Sequence, residues 1–508
     1  MRYDKPNILL IETDQQSAET LSLYGNPVLH TPALERLAEQ GVVFEYAFCN
    51  YPACSPSRSS MMTGRYASSI GVHANHMMIN PAETTLPQVL KANGYQTAII
   101  GKNHAFMRTA QFSYGGGSPE HPSTLHEVFD YVRLADHGHM VDGYRDDPAS
   151  IAAHEWAQKH CWYSPLGYGT NPAAPEHCGT YLLGETMVDY LESVRNTDQP
   201  FFAWLSFPDP HTPYQAPEPY ASMINPADVP LPPKDSLENK PERQRVAHLM
   251  DAMDTADDEL IRRVRAMHYG MIKFIDDTLG KILATVDQLG LTDNTVVIFT
   301  SDHGDSMGAH GLIQKHNAFY DSFNRIPFIV RMPDYSGPRR TDNMVELVDI
   351  MPTLLELAGI PRPYGLQGRS LAPFLQGDPS YTPREFVIIE SGEQGEPMKE
   401  SDITVRPEHP FDERYFVWCA YREAWLGRGK SIRTHDWKLN VYTNGDGELY
   451  DLQRDPDELH NLFHESEYES IRTALERQLL VWVMEHQDRL PENTTVNISY
   501  SKYMQKSE

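Results

Sequence analysis

The chain has 508 residues, of which 40% are hydrophobic and 22% charged, and its formal net charge is -27. This composition is typical of a globular protein with a large core, and the length allows two or three domains. The negative charge repels nucleic acids and anionic membrane surfaces, so it argues against both as partners. Screening by salt still allows a local cationic pocket to bind a small anion.

Cysteine is sparse, and the five positions are Cys49, Cys54, Cys161, Cys178 and Cys419. Their odd number and their spacing argue against a disulfide framework and against a zinc site, so a reducing compartment is expected. The apolar run Ile8–Ile11 is shorter than a signal-peptide core, and no window approaches the roughly 20 apolar residues of a membrane helix. We therefore expect a cytoplasmic protein.

Strand patterns alternate with helix patterns in chain order. NILLIET is typical of a buried strand, and TPALERLAEQG follows as a helix with Thr31 as its N-cap and Gly41 as its end. The helix TLPQVLKANG, the strands YQTAIIG and FFAWLSF, a helical region from Glu259 to Gly290 and the strands TVVIFTSD and PFIVRM come next. This alternation predicts an α/β fold with a mostly parallel sheet sandwiched by helices.

The pattern changes after about Gly377. FVWCAYR, SIRTHDWKLNVY and ELYDL are expected as strands, the last two joined by the turn TNGDG, and a helix is expected from Tyr468 to about Gln487. These features predict a catalytic domain over 1–377 and a smaller C-terminal α+β subdomain with an antiparallel sheet over 378–508. The tail after Pro491 is expected to be either a disordered end or an arm packed on another subunit, and the second alternative implies a homo-oligomer. The stretch Pro208–Pro241 is expected to be a long surface loop.

Polar side chains follow four of the predicted strands, at Asp14-Gln15, Lys102-Asn103-His104, His211 and Asp302-His303. Taken singly, each has an ordinary explanation as a helix cap, a structural histidine or a surface charge. The carboxyl ends of parallel strands meet at one edge, so we expect these groups to converge. Two aspartates and a histidine there form a candidate divalent-metal site. Lys102, Lys315 and Arg58, with the histidines, form a candidate pocket for a tetrahedral oxyanion.

Cys54 begins the stretch CSPSR and has three interpretations. It is a buried small hydrophobe, a thiolate nucleophile activated by a nearby cation, or a modified residue. The third interpretation follows from a resemblance, because Cys54-Ser55-Pro56-Ser57-Arg58 resembles the C-x-P-S-R core of the type I sulfatases. Met62–Arg65, the segment Gly94–Lys102 and the C-terminal ELYDLQRDPDELHNL also resemble segments of that family. The resemblance extends over nearly the whole chain and implies an alkaline phosphatase-like fold.

The resemblance implies a formylglycine mechanism. In this family a maturase oxidises the cysteine to formylglycine (3-oxoalanine), whose aldehyde hydrates to a geminal diol. One hydroxyl attacks the sulfur and expels the alcohol, with its pKa lowered by a metal. Deprotonation of the second hydroxyl then expels sulfate and regenerates the aldehyde. A serine has no second hydroxyl, so it would remain sulfated.

The resemblance also implies roles for individual residues. Asp14, Asp302 and His303 are expected to bind the metal together with residue 54, and Gln15 is expected either as a ligand or as a neighbour of the ligands. Arg58 is expected to hold the diol, Lys102 and Lys315 to bind sulfate oxygens, His104 to act as the base in the elimination and His211 to protonate the leaving alcohol. Asn75 and His76 are expected near the pocket mouth, where they contact substrate.

Three questions stay open. The family habit predicts calcium, while an imidazole ligand suits manganese, and magnesium is a further alternative. The predicted function is hydrolysis of a small organic sulfate monoester. The alternatives are a phosphonate monoester or phosphodiester hydrolase, because the Asp-Gln and Asp-His pairs also occur in those relatives, and a non-enzymatic metal-binding protein with unmodified Cys54. The alcohol part of the substrate, whether aryl, alkyl, choline-like or sugar, is not predicted.

Overall fold

The computed structural model describes residues 5–106, 124–135, 140–161, 165–403 and 427–486. Its strands are β1 (Asn7–Thr13), β2 (Val42–Phe48), β3 (Gln96–Gly101), β4 (Tyr131–Leu134), β5 (Tyr168–Asn171), β6 (Phe201–Ser206), β7 (Tyr214–Pro217), β8 (Thr295–Ser301), β9 (Phe328–Arg331), β10 (Arg340–Glu346), β11 (Val387–Ser391), β12 (Gly429–Arg433), β13 (Trp437–Tyr442) and β14 (Gly447–Asp451). Its α-helices are α1 (Pro32–Gln40), α2 (Cys54–Thr63), α3 (Ala67–Ile70), α4 (Leu86–Ala92), α5 (Thr124–Val128), α6 (Pro148–His160), α7 (Gly179–Val194), α8 (Glu242–Met250), α9 (Asp258–Gln288), α10 (Asp321–Asn324), α11 (Ile350–Leu357), α12 (Ala372–Leu375) and α13 (Glu469–His486).

An eight-stranded sheet forms the centre of the protein, in the order β10-β2-β9-β8-β1-β6-β3-β4. β9 pairs antiparallel with both of its neighbours, and the other pairs are parallel. The predicted α/β class with a mostly parallel sheet is therefore confirmed. PFIVRM is a strand as expected, and it is the one that runs against the others in this sheet.

Helices cover both faces of the sheet, which explains why its central strands β1, β6 and β8 are buried along their whole length. Along β1, Ile8 and Leu10 point into one hydrophobic core, and Leu9 and Ile11 point into the other. The first core is closed by α4 and α11, and the second by α1, α7 and α9. The central strands are thus rigidly held, and so are the residues that follow them.

A second, antiparallel sheet lies in the C-terminal part, in the order β11-β12-β13-β14, and α13 packs on it through Leu475, Leu479 and Trp482. The predicted antiparallel sheet and its covering helix are confirmed. SIRTHDWKLNVY is two strands and not one, because the Thr434–Asp436 turn reverses the chain. The predicted strand FVWCAYR and the tail after Pro491 lie outside the described residues.

The stretch Pro208–Pro241 departs from the expected surface loop in its first part. Residues 208–217 are buried apart from the half-buried Thr212, and β7 pairs with β5 in a two-stranded parallel sheet. This segment places His211 and Tyr214 inside the protein. No helix within the described ranges is long and apolar enough to cross a membrane.

Candidate active site

Four neighbouring strands, β8, β1, β6 and β3, deliver the polar residues to one edge of the sheet. Their ends are in register, since Thr13 pairs with Ser301, and Gly101 pairs with Ser206. The backbone continues this register one residue further, where the Asp302 amide donates to the Thr13 carbonyl at 3.2 Å and the Lys102 amide to the Ser206 carbonyl at 2.8 Å. Asp14, Lys102 and Asp302 therefore leave the sheet side by side.

Cys54 is the first residue of α2 and is fully buried. Pro56 fits the first turn because the amide groups there have no intrahelical acceptor. Arg58 lies four residues on, so it shares the helix face of Cys54. The Cys54 Sγ atom lies 3.2 Å from His303 Nε2 and 3.6 Å from Asp14 Oδ1. Burial raises the pKa of the thiol to about 11, so the unmodified side chain stays protonated near neutral pH.

Four buried residues form a cluster at this edge: Asp14, Cys54, Asp302 and His303. Each offers one potential ligand atom, and these atoms all lie within 4.8 Å of one another. The His303 Nδ1–H donates to the Gly304 carbonyl at 2.9 Å, which turns Nε2 towards the cluster. Burial lowers the pKa of His303 to about 3, although Asp302 acts against this shift, so the imidazole is neutral. Two carboxylates and a neutral imidazole are a donor set that fits a divalent cation.

Gln15 lies at the border of this cluster. Its backbone amide donates to Asp302 Oδ1 at 3.0 Å. Its side-chain oxygen accepts from Lys315 Nζ at 2.6 Å, and its side-chain nitrogen donates to Asp305 Oδ2 at 2.6 Å. The amide oxygen is thus oriented by a lysine beside the carboxylates.

Arg58 connects the carboxylates beneath the cluster. It donates to Asp302 Oδ2 at 2.8 Å, to Glu12 Oε2 at 3.2 Å and to Ser206 Oγ at 2.6 Å, and its Nη2 lies 3.5 Å from Asp14 Oδ2. Burial alone would raise the pKa of Asp302, but the positive charges of Arg58 and Lys102 hold it below its usual value. Lys102 Nζ donates to Asp14 Oδ2 from the other side.

Glu12 and Trp204 are parts of this arrangement that the sequence analysis missed. Glu12 is fully buried and accepts from Trp204 Nε1 at 2.6 Å as well as from Arg58. Burial raises the pKa of Glu12 to about 7, while Arg58 acts to lower it. An acidic residue inside the apolar strand NILLIET was the available signal, because a buried carboxylate needs a partner.

His104 and Asn75 meet above Cys54. His104 Nε2 donates to the Asn75 carbonyl at 2.9 Å, and the Asn75 side chain accepts from the Ser55 amide at 3.1 Å. Burial, together with Lys102 and Arg58, lowers the pKa of His104 well below its usual value. Because the Asn75 carbonyl can only accept, Nδ1 is the basic nitrogen of the ring. His76 is exposed on the same loop.

His211 and Lys315 form a contact pair. Their Nε2 and Nζ atoms lie 2.6 Å apart, and His211 Nδ1 lies 2.5 Å from the Thr212 carbonyl. A lysine ammonium can only donate, so His211 accepts at Nε2 and carries its proton on Nδ1. The structure therefore gathers all but one of the expected site residues into one linked group, with the exposed His76 at its margin.

The mostly parallel sheet between helix layers, with polar strand ends gathered around a buried donor cluster, has the alkaline phosphatase-like fold that the sequence resemblance implied. The Sulfatase family model matches residues 6–360, and the model of the N-sulphoglucosamine sulphohydrolase C-terminal region matches residues 387–485. The chain belongs to the sulfatase family and is a type I sulfatase by its fold and motifs.

Known proteins resemble the chain over most of its length. An arylsulfatase of Clostridium perfringens is 28% identical over 503 residues, which cover 95% of this chain and 95% of that protein. A choline-sulfatase of Rhizobium meliloti is 29% identical over 482 residues, covering 91% and 83%. The crystal structure of a phosphonate monoester hydrolase of Agrobacterium radiobacter has a TM-score of 0.75 at 25% identity, covering 95% of this chain and 96% of that one.

Proposed function

We propose that the protein hydrolyses a small organic sulfate monoester and that Cys54, converted to formylglycine by a maturase, carries the nucleophile. The observation that carries the proposal is the position of the Cys54 Sγ atom. It lies at the start of α2, within 3.6 Å of both a carboxylate and an imidazole of the donor cluster, and on the helix face that Arg58 shares. An oxygen on the same carbon atom would meet the same neighbours.

We propose that Asp14, Asp302, His303 and residue 54 hold one divalent metal, with Gln15 either as a further ligand through its amide oxygen or as a neighbour of the ligands that accepts from Lys315. A bound divalent cation lowers the pKa of the hydroxyl that attacks sulfur. We propose calcium as the metal, with manganese as an alternative because of the imidazole and magnesium as a further alternative.

The surrounding cations serve the anionic substrate. Lys102 and Lys315 are proposed to bind sulfate oxygens, and Arg58 to offset the negative charge that develops on residue 54. His104 suits the role of base in the elimination, since its Nδ1 is unprotonated near neutral pH.

The leaving alcohol needs a proton, and the His211–Lys315 pair is the proposed source. A lysine ammonium can only donate, so in their hydrogen bond His211 Nε2 accepts from Lys315 Nζ. His211 therefore acts as the acid after receiving the proton of this hydrogen bond, or it orients Lys315 to donate directly.

Hydrolysis of a phosphonate monoester or phosphodiester is the second candidate function. The structural match to the phosphonate monoester hydrolase supports it, because sulfuryl and phosphoryl groups share tetrahedral geometry. Membership of the sulfatase family argues against the non-enzymatic alternative.

The discriminating experiment is a comparison of kcat/KM on an aryl sulfate and on the matching aryl phosphonate, with protein co-expressed with a formylglycine-generating enzyme. We expect the sulfate to be the better substrate. A large preference for the phosphonate would overturn the sulfate assignment and leave the formylglycine assignment intact.

The names of the arylsulfatase and choline-sulfatase relatives point to aryl and choline sulfates as the first substrates to test. Asn75 and His76 are proposed to contact the substrate at the pocket mouth. Four free buried cysteines among the described residues accord with the proposed cytoplasmic location. A screen of sulfate esters on the matured enzyme would identify the alcohol.

A further inference from the structure

Asp305 is a fully buried carboxylate that lies two residues beyond the metal-site histidine and has none of the proposed roles. Its two oxygens accept four hydrogen bonds. Oδ1 accepts from the backbone amides of Met307 at 2.9 Å and Gln314 at 2.8 Å, and Oδ2 accepts from Gln15 Nε2 at 2.6 Å and from the Tyr214 hydroxyl at 2.7 Å. An ionised carboxylate offers about four acceptor positions, so every one of them is used.

The four hydrogen bonds have a fixed direction. Because the carboxylate only accepts, the nitrogen of the Gln15 amide must face Asp305. The oxygen of the same amide then faces the other way, towards Lys315 Nζ at 2.6 Å. Lys315 in turn donates to His211. The orientation of the Gln15 amide therefore decides what faces the Lys315 ammonium: the amide oxygen, which accepts its hydrogen bond, or the NH₂ group, which cannot.

Asp305 also holds the chain on which Lys315 sits. Its Oδ1 closes the loop 305–314 by binding the Gln314 amide, one residue before Lys315. Met307, His310 and Gln314 in this loop have positive φ angles of 46, 57 and 60 degrees. Such residues need outside support to keep this conformation, since the left-handed region is unfavourable for them.

We propose that Asp305 is a positioning residue which sets the amide orientation of Gln15 and thereby holds Lys315 and His211 in place to protonate the leaving alcohol. This inference rests on the proposed function of the pair. It assigns the carboxylate no contact with substrate and no proton transfer of its own. Its effect passes through Gln15 to the lysine.

The substitution Asp305→Asn tests the orientation directly. The oxygen of the introduced amide keeps the place of Oδ1, because two backbone amides donate there, so the new NH₂ group takes the place of Oδ2. The Gln15 amide must then turn over, and its NH₂ group faces the Lys315 ammonium. Lys315 loses its acceptor and leaves His211, while the size of the side chain is unchanged.

Compensation by Gln15→Glu gives the diagnostic result. In the double variant, both oxygens of the carboxylate introduced at position 15 accept, one from the amide introduced at position 305 and one from Lys315, so the lysine regains its acceptor. In Gln15→Glu alone, the introduced carboxylate faces that of Asp305 across the 2.6 Å that the present hydrogen bond spans. Both single variants are therefore expected to be poor, and the double variant better than either, which is a sign of direct coupling.

The measurement is kcat/KM of the matured enzyme on aryl esters of graded leaving-group acidity, using whichever ester class the wild type hydrolyses. We expect Asp305→Asn to lower kcat/KM about 100-fold for the poorest leaving group and less than about threefold for the most activated one. The double variant is expected to recover about tenfold. Tyr214→Phe is the control, because it removes the other donor to Asp305 Oδ2 and leaves the orientation of the Gln15 amide unchanged. Any loss of kcat/KM in this variant should be equal for all leaving groups.

Other outcomes decide against the proposal. An Asp305→Asn enzyme with equal losses for all leaving groups, or a double variant no better than Asp305→Asn, would overturn it. If Asp305→Asn does not fold, Gln15→Met replaces it, assayed at saturating divalent metal because Gln15 is also a candidate ligand. That variant removes the acceptor of Lys315, and the same dependence on the leaving group is required. If the wild type hydrolyses neither ester class, the proposed function fails separately. The affinity for inorganic sulfate, measured by calorimetry, then replaces kcat/KM. Asp305→Asn must lose affinity, and the double variant must regain it.

Discussion

Arg58 is the residue whose contacts extend furthest through the site, because its guanidinium contacts Asp302, Glu12, Asp14 and Ser206 at the same time. A lysine at this position keeps the charge but cannot reproduce the planar set of donors. The buried carboxylates would then repel each other with less compensation.

Arg58→Lys is expected to lower kcat/KM by about 10² to 10³, the cost of losing one preorganised donor to developing charge. Steady-state kinetics on the matured enzyme check this. Arg65→Lys is the matched control, because Arg65 belongs to the same motif but pairs with Glu83, a carboxylate outside the donor cluster. Equal losses in the two variants would contradict the role of Arg58.

The sequence predicted most site residues because each follows a strand or belongs to a motif. It could not predict how they bond to one another. Asp305, Tyr214 and Ser206 come from separate strands or loops, and only the folded sheet brings them together. The pairing of His211 with Lys315 depends on residues 104 positions apart and has no local signal.

At the scale of elements, the close approach of β3 and β6 places Lys102. Gly101 ends β3 with a φ of 106 degrees, and a Cβ atom there would collide with the Ser206 carbonyl. The same carbonyl accepts from the Lys102 amide. A side chain at position 101 would therefore push the lysine away from Asp14.

Gly101→Ala is expected to cost about 2 to 4 kcal/mol of stability, from the left-handed backbone and the collision together. Gly94→Ala is the matched control, with a φ of 90 degrees and open space around a Cβ atom, and is expected to cost about 1 kcal/mol. Thermal unfolding of both variants measures the difference. A Gly101→Ala protein as stable as Gly94→Ala would contradict the close approach.

The N-terminus of α1 depends on Asp276 of α9, which accepts from the Leu34 amide at 3.0 Å and the Ala33 amide at 3.3 Å. Burial raises the pKa of Asp276 to about 6. A raised pKa in the folded state means that the proton is bound more tightly there than in the unfolded chain. The stability that this binding contributes is present below about pH 4 and is lost as the pH rises through about 6.

Asp276→Asn removes this titration. As the pH rises from 4 to 7, the wild type is therefore expected to lose about 2 to 3 kcal/mol of stability relative to the variant. The melting temperatures of the two proteins across this pH range measure the loss. Asp277→Asn, at the exposed neighbouring position, is the control for removing a carboxylate from this part of α9. A difference that stays constant with pH would contradict the raised pKa.

The periodic elements were predictable and the irregular ones were not. The strands of NILLIET, YQTAIIG and TVVIFT and the helix α9 follow from continuous or periodic apolar patterns. The strand β7 was missed because the many prolines around it favour a loop, and its burial comes from tertiary packing against α9. The turn inside SIRTHDWKLNVY was missed because its Thr434 cap bonds Trp437 locally, without glycine.

At the scale of the whole molecule, buried ion pairs join the C-terminal sheet to the catalytic part. Lys438 of β13 is fully buried and donates to the Phe319 carbonyl at 2.8 Å and to Asp321 and Glu458 at 2.5 Å each. Phe319 and Asp321 follow the segment of Lys315, so the sheet supports the active-site loop. The boundary that we propose at residue 377 therefore separates two units that share a polar contact.

Lys438→Met is expected to destabilise the protein by about 3 to 5 kcal/mol, because the buried Glu458 carboxylate loses its cation and Asp321 keeps only Arg433. Lys430→Met is the control, since its pair with Glu390 is partly exposed, and a loss of about 1 kcal/mol is expected. Thermal unfolding measures both. A Lys438→Met protein as stable as the control would show that the two units are joined by apolar packing alone.

The most direct test of the account is the chemical state of residue 54 in an active preparation. Mass spectrometry of the peptide containing position 54 should show an aldehyde, the turnover number should rise in proportion to the fraction converted, and Cys54→Ala should have no activity. Full activity with an unmodified thiol at position 54, or an active Cys54→Ala protein, would contradict the account.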